Sequence, residues 1–222
     1  MQMLLWSPIR FFETRRAGGL HWLAAAGGPA LCAVLQAVTG SITSARILPA
    51  MEDAIAAVDV PFAEFPMQSM AFVAGLLGYP MFFGVMLLAV LALDVVASGS
   101  EQPRLLAKFT AVSFYTQLPW CIAMMAIVWH WAPEPLRLPV GASQAEVMEQ
   151  MTRYQVTVRS GALMSTGQLL GHYSQLWLSA VLAVALKVVG SLSVRATVAV
   201  GAVLFVICKA GPIFNFVLES LR

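Results

Sequence analysis

Residues 67–96 read MQSMAFVAGLLGYPMFFGVMLLAVLALDVV, and this stretch decides the fold class. Its one charged residue is Asp94, close to its end. About 20 consecutive apolar residues are enough to cross the hydrocarbon of a bilayer as a helix. This run is longer, so it is predicted to tilt, or to kink at Pro80, where the imino acid removes a backbone donor. The composition agrees with a membrane chain. Of 222 residues, 59% are hydrophobic and only 11% are charged, against about 25% charged in a soluble domain.

Four more apolar runs lie on either side. Residues 105–131 form one, interrupted at Pro119 and closed by Trp129, His130 and Trp131. Residues 98–104, SGSEQPR, supply the turn before it. Residues 19–41, GLHWLAAAGGPALCAVLQAVTGS, form the first run, and the glycines in it permit close helix contact. Residues 162–189 and 196–218 form the last two, joined by GSLSVR at 190–195 with Ser193 as a candidate N-cap. The prediction is an all-α, polytopic transmembrane helix bundle of about five spans, one domain over 19–218, with short interfacial helices.

The remaining segments are polar or mixed. Residues 1–18 are expected to lie in the membrane interface on the cytoplasmic side, with Trp6, Phe11 and Phe12 at headgroup level. No apolar core there leads to a cleavage site, so they do not read as a secretory signal. Residues 42–66 are a polar interlude with a short helix expected at 50–58 and punctuation at Pro61 and Pro66. Residues 142–159 pattern as an amphipathic surface helix whose apolar stripe is Val147, Met151, Tyr154 and Val158. With five spans, Arg10, Arg15, Arg16, Arg104, Lys108, Lys187 and Arg195 fall on one side, close to span ends. The positive-inside bias therefore places the N-terminus in the cytoplasm and the C-terminus outside it.

An ionisable group in hydrocarbon is costly, so each needs a reason. Asp94 and Lys187 lie near the same membrane face and are a candidate interface ion pair, or an anchoring pair of snorkelling groups. Lys209 lies inside the fifth run with no carboxylate at matching depth. The densest polar group is in the third and fourth spans. Tyr115 and Gln117 precede Pro119, while Gln168, His172 and Gln175 recur at i, i+4 and i+7, on one helical face. Gln117 and Gln175 fall at similar depth and are expected to hydrogen-bond across the bundle. The cluster reads as interhelical glue or as a polar cavity for a small ligand or a proton.

Catalytic signatures are missing. There is no HExxH, no GxSxG and no Walker loop, and His21, His130 and His172 are scattered. Cys32, Cys121 and Cys208 lie inside apolar runs without paired spacing, which suits packing rather than a disulfide or metal site. No cofactor is expected. A net charge of +2 with no basic patch excludes nucleic acid as a partner class.

Three short motifs carry a resemblance. LWSPIRFFE (5–13), FYTQLPW (114–120), and QLWLSAVLAVAL (175–186) followed by LSVRA (192–196) resemble segments of the bacterial branch of the Yip family, the Ypt/Rab-interacting membrane proteins. The resemblance implies a five-span fold with a cytoplasmic N-terminus in a bacterial inner membrane. The Asp-Leu-Tyr-Gly-Pro type motif of the eukaryotic members is not found here, so Rab binding is not carried over; for bacterial members the resemblance implies a fold and a membrane address, and no biochemical activity. The expectation is a non-enzymatic protein that associates with the bilayer and with a membrane-protein partner or further copies of itself. The alternative is a small transporter or channel subunit using the polar cluster.

Overall fold

The computed structural model describes the backbone of residues 2–51, 67–100, 102–138, 143–159 and 161–220. The regular elements among them are all helical. They are α1 (Gln2–Trp6), α2 (Pro8–Gly18), α3 (Trp22–Ala50), α4 (Met67–Ala97), α5 (Pro103–Ser113), a 3-10 turn (Phe114–Gln117), α6 (Leu118–His130), α7 (Gln144–Arg159), α8 (Ala162–Gly190) and α9 (Val194–Ser220). Four stretches are long and apolar enough to cross a bilayer, namely Trp22–Ala50, Ser69–Ala97, Pro103–His130 and Ala162–Gly190. Helix α9, 27 residues long, is the fifth long helix. The chain is thus an all-α membrane helix bundle of about five spans.

The expected boundaries move in informative ways. Helix α3 runs on to Ala50, well past 41, because residues 42–50 also have packing to do. Ile42 and Ile47 pack on a cluster built from Val128, Trp131 and Met164. The short helix expected at 50–58, with Pro61 and Pro66, lies outside the described residues beyond Met51. Helix α4 continues through Pro80 unbroken. The third span is two helices joined by a 3-10 turn, and Pro119 is the cause. Pro119 has no N–H to offer the carbonyl of Tyr115 four residues back, so the N–H of Leu118 bonds it instead.

Two compact units make up the chain. The first comprises Met1–Ala33, Gly78–Trp120 and Gly171–Arg222. Its core holds Leu4, Phe12, Phe109, Phe114, Met86, Leu178, Leu182 and Leu186, all fully buried. Phe12 packs on Phe109 with ring centroids 4.7 Å apart. The N-terminal segment is therefore only partly interfacial. Phe11 and Phe12 are core, while Trp6 is 83% exposed. Helix α3 approaches the 3-10 turn closely, since a Cβ on Gly28 would stand 2.9 Å from the carbonyl oxygen of Ala111 and 3.1 Å from the nitrogen of Tyr115. Ser193 caps α9, its Oγ accepting from the N–H of Ala196 at 3.3 Å.

The second unit comprises Val34–Leu77 and Cys121–Leu170. Here α3 and α4 touch backbone to backbone. A Cβ on Gly75 would stand 2.7 Å from the Cα of Ala37, and one on Gly40 would stand 3.0 Å from the carbonyl oxygen of Ala71. The Arg46 guanidinium donates to the carbonyl of Trp129 at 2.7 Å, tying the end of α3 to the end of α6. Helix α7 begins at Gln144 rather than 142, on a capping box absent from the sequence reading. The N–H and Oγ of Ser143 donate to Glu146 Oε2 at 2.7 and 2.8 Å. Its apolar stripe is as expected. Val147 packs with Leu136, Leu138 and Met151, Tyr154 is buried, and Val158 joins the Val128 cluster.

Two outcomes follow from this packing. Gly75→Ala should destabilise the protein by about 1–3 kcal/mol, because the new methyl meets backbone that cannot yield. Gly78→Ala should be neutral or slightly stabilising, since nothing lies within 4 Å of a Cβ there. Thermal unfolding in detergent separates the two. The bonds from the N–H of Ser143 first, and from its hydroxyl second, hold Glu146 below its ordinary pKa of 4.5. A carboxylate depressed by folding stabilises the helix start above pH 4.5 and loses that contribution as pH falls through the lowered value. Amide protection in the first turn of α7 should fall over that acid range, and Glu146→Gln should flatten the dependence.

Candidate functional site

Helices α8 and α9 bring three polar side chains together within the first unit. His172 and Gln175 are three apart on α8 and so share a face. Lys209 comes from α9. Its Nζ meets both His172 Nδ1 and Gln175 Oε1 and lies 5.6 Å from the centroid of the Phe205 ring. An ammonium has donors and no acceptor. With the ammonium donating, His172 Nδ1 is the acceptor, and the ring N–H is Nε2, the nitrogen that does not meet Lys209. The His172 ring is exposed, and Gln175 and Lys209 are half-buried.

The expected polar cluster is thereby redistributed. Gln117 is 1% exposed and pairs with Ser174 rather than Gln175. Its Nε2 donates to the Ser174 carbonyl at 2.8 Å, and the Ser174 hydroxyl donates to Gln117 Oε1 at 2.9 Å. Gln175 cannot join them because it faces Lys209. Tyr115 donates to the carbonyl of Ala24 at 3.0 Å. Gln168 is exposed and belongs to the second unit. Lys209 joins this cluster through neutral acceptors, so no carboxylate at matching depth signals its place in the sequence.

Asp94 has partners other than Lys187. Ser98 Oγ donates to its Oδ1, and Ser100 Oγ reaches both carboxylate oxygens at 2.8 and 2.7 Å. The N–H groups of Ser98 and Gly99 bond the Asp94 carbonyl, with Gly99 at φ +60°. The SGS sequence after α4 thus closes the helix end around a buried carboxylate. Among the described residues the ion pair is Arg153–Glu149, at 2.6 Å, and it does not involve Asp94 or Lys187.

A cleft of about 1040 Å³ lies in the second unit, lined by Trp131, Glu134, Arg137, Tyr154 and Thr157 among others. The sequence signal for it is Pro133 and Pro135, which hold residues 131–138 out of regular structure beside α7. The Tyr154 hydroxyl donates to the carbonyl of Glu134. Burial first, and the Glu134 charge second, raise the phenol above its ordinary pKa. All three cysteines are buried thiols outside any disulfide, and Cys208 packs 3.6 Å from the sulfur of Met86. Among the described residues no three of His, Cys, Asp or Glu come together as a metal-ligand group.

The Gln117–Ser174 pair can be weighed directly. A double-mutant cycle of Gln117→Leu with Ser174→Ala, read by unfolding in detergent, should give a coupling of about 0.6 kcal/mol, the average for polar pairs between membrane helices. Comparison of the chain with protein-family models, curated proteins and solved structures returned no match.

Proposed function

We propose that this chain is a non-enzymatic, Yip-like multi-pass protein of a bacterial inner membrane, N-terminus cytoplasmic and C-terminus outside, that works by associating with other membrane helices. The motifs at 5–13, 114–120, 175–186 and 192–196 support the Yip-like part, and the lysines and arginines near span ends support the orientation. The outer face of α4 carries the association part.

Gly78, Met81, Val85, Leu88, Ala92 and Val95 are all exposed along α4. They recur at alternating steps of three and four, the spacing of a heptad seam. The α4 span is 17% buried within the chain, against 39–44% for the other three candidate spans. A Cβ on Gly78 or Gly84 would meet nothing within 4 Å. Lipid tails are as apolar as leucine, so a bare apolar face gains nothing from burial as such. What small residues add is close backbone approach to a second helix. The transporter alternative is the weaker one. Tyr115 and Gln117 are taken up by hydrogen bonds to neighbouring segments, which leaves fewer groups to line a path.

The test is crosslinking in native membranes. A Val85→Cys variant places an accessible thiol on the seam, whereas the native cysteines are buried. Crosslinking should trap a second copy or a membrane-protein partner, and adding Gly78→Trp should abolish the product while the chain stays folded. A chain that remains monomeric and uncrosslinked from Val85, and from the equivalent Met81→Cys and Leu88→Cys variants, would sink the association reading.

A further inference from the structure

Lys209 is a cation in an apolar helix, and among the described residues no carboxylate lies within ion-pair distance of it. It stands fifteen residues after Val194 and eleven before Ser220. At about 1.5 Å per residue that is roughly 16 Å from the nearer helix end. The helix is about 40 Å long and the hydrocarbon about 30 Å thick. A centred helix therefore holds the ammonium well below the headgroup plane. The site is open on one side. His172 is exposed, as are Tyr173, next to it on α8, at 69%, and Val206, three residues before Lys209 on α9, at 60%. A charge in this position draws polar headgroups and water inward and thins the bilayer locally.

The donor geometry narrows the ligand. Two of the three ammonium protons are directed at His172 Nδ1 and Gln175 Oε1, leaving one. His172 offers a second donor at Nε2, on the opposite side of its ring. The two free donors sit on different side chains, Nε2 being the ring nitrogen that does not meet Lys209. They suit oxygens several ångströms apart in one molecule, as are the phosphate and an ester carbonyl of a phospholipid. Gln175 and the Phe205 ring hold the ammonium in place and cannot neutralise it.

We infer that Lys209, His172 and Gln175 form a site for a phospholipid, its phosphate on Lys209 and an ester oxygen on His172 Nε2, held below the headgroup plane. The site uses none of the α4 seam, so it stands or falls independently of helix association.

Native mass spectrometry of the full chain, delipidated in detergent, tests this. The probes are dioleoyl phosphatidylglycerol, dioleoylglycerol with the same chains and no phosphate, and inorganic phosphate. The wild type should retain one phosphatidylglycerol per chain and little dioleoylglycerol. Lys209→Gln should weaken retention about tenfold, as expected for loss of a charge-assisted hydrogen bond. Lys209→Arg should keep it, and Lys187→Gln, a cation at a span end, should leave it unchanged. Equal retention of the two lipids by the wild type overturns the proposal and needs no variant to be read. So does retention unaffected in a Lys209→Gln chain of native helix content. Displacement of the lipid by inorganic phosphate would make the ligand a free ion and remove the lipid assignment. A Lys209→Gln chain that changes oligomeric state without changing lipid retention would place a second copy on the site.

Discussion

In hydrocarbon a backbone N–H or C=O has no water to bond, and each unpaired group costs several kcal/mol. This constraint makes the spans helical, and it also explains where they deviate. Pro119 removes one donor from the third span. The chain does not leave the Tyr115 carbonyl bare but tightens into a 3-10 turn, so that Leu118 bonds it. The turn re-aims the side chains around it. Tyr115 reaches the carbonyl of Ala24, and Gln117 is directed at Ser174. One imino acid thus sets both a local backbone geometry and two contacts far along the chain.

Once the backbone is satisfied, apolar burial no longer distinguishes one helix face from another, because lipid and protein interior are equally apolar. Shape does the discriminating. Gly28 lets α3 sit against the 3-10 turn in the first unit, and Gly40 and Gly75 let α3 and α4 touch through backbone in the second. Polar pairs then fix register. Gln117 with Ser174 and Arg46 with the Trp129 carbonyl each join segments that are distant in sequence. The same logic gives meaning to glycines that touch nothing, such as Gly78 and Gly84, and to the long bare face of α4.

The charged groups divide by what answers them. Asp94 is enclosed by the serines that end its own helix. Glu146 is answered by the start of its helix. Lys209 receives only neutral acceptors and a ring face. Among the described residues no carboxylate answers it, so its charge is left to be balanced from outside them.

Run length and composition were legible in the sequence. The all-α class, the about five spans and the α7 stripe of Val147, Met151, Tyr154 and Val158 follow from hydropathy and periodicity, which are properties of one segment at a time. The Ser193 cap is legible for the same reason, and the Ser143–Glu146 capping box is equally local. The partners of the polar residues were not legible. Helices that are apolar on every side carry no period that says which face meets which neighbour. The choice of Ser174 over Gln175 for Gln117, of serines over Lys187 for Asp94, and of His172 with Gln175 for Lys209 depends on helix rotation and axial offset. Those are fixed by the fit of small residues between helices, a property of pairs of segments that only the tertiary structure decides.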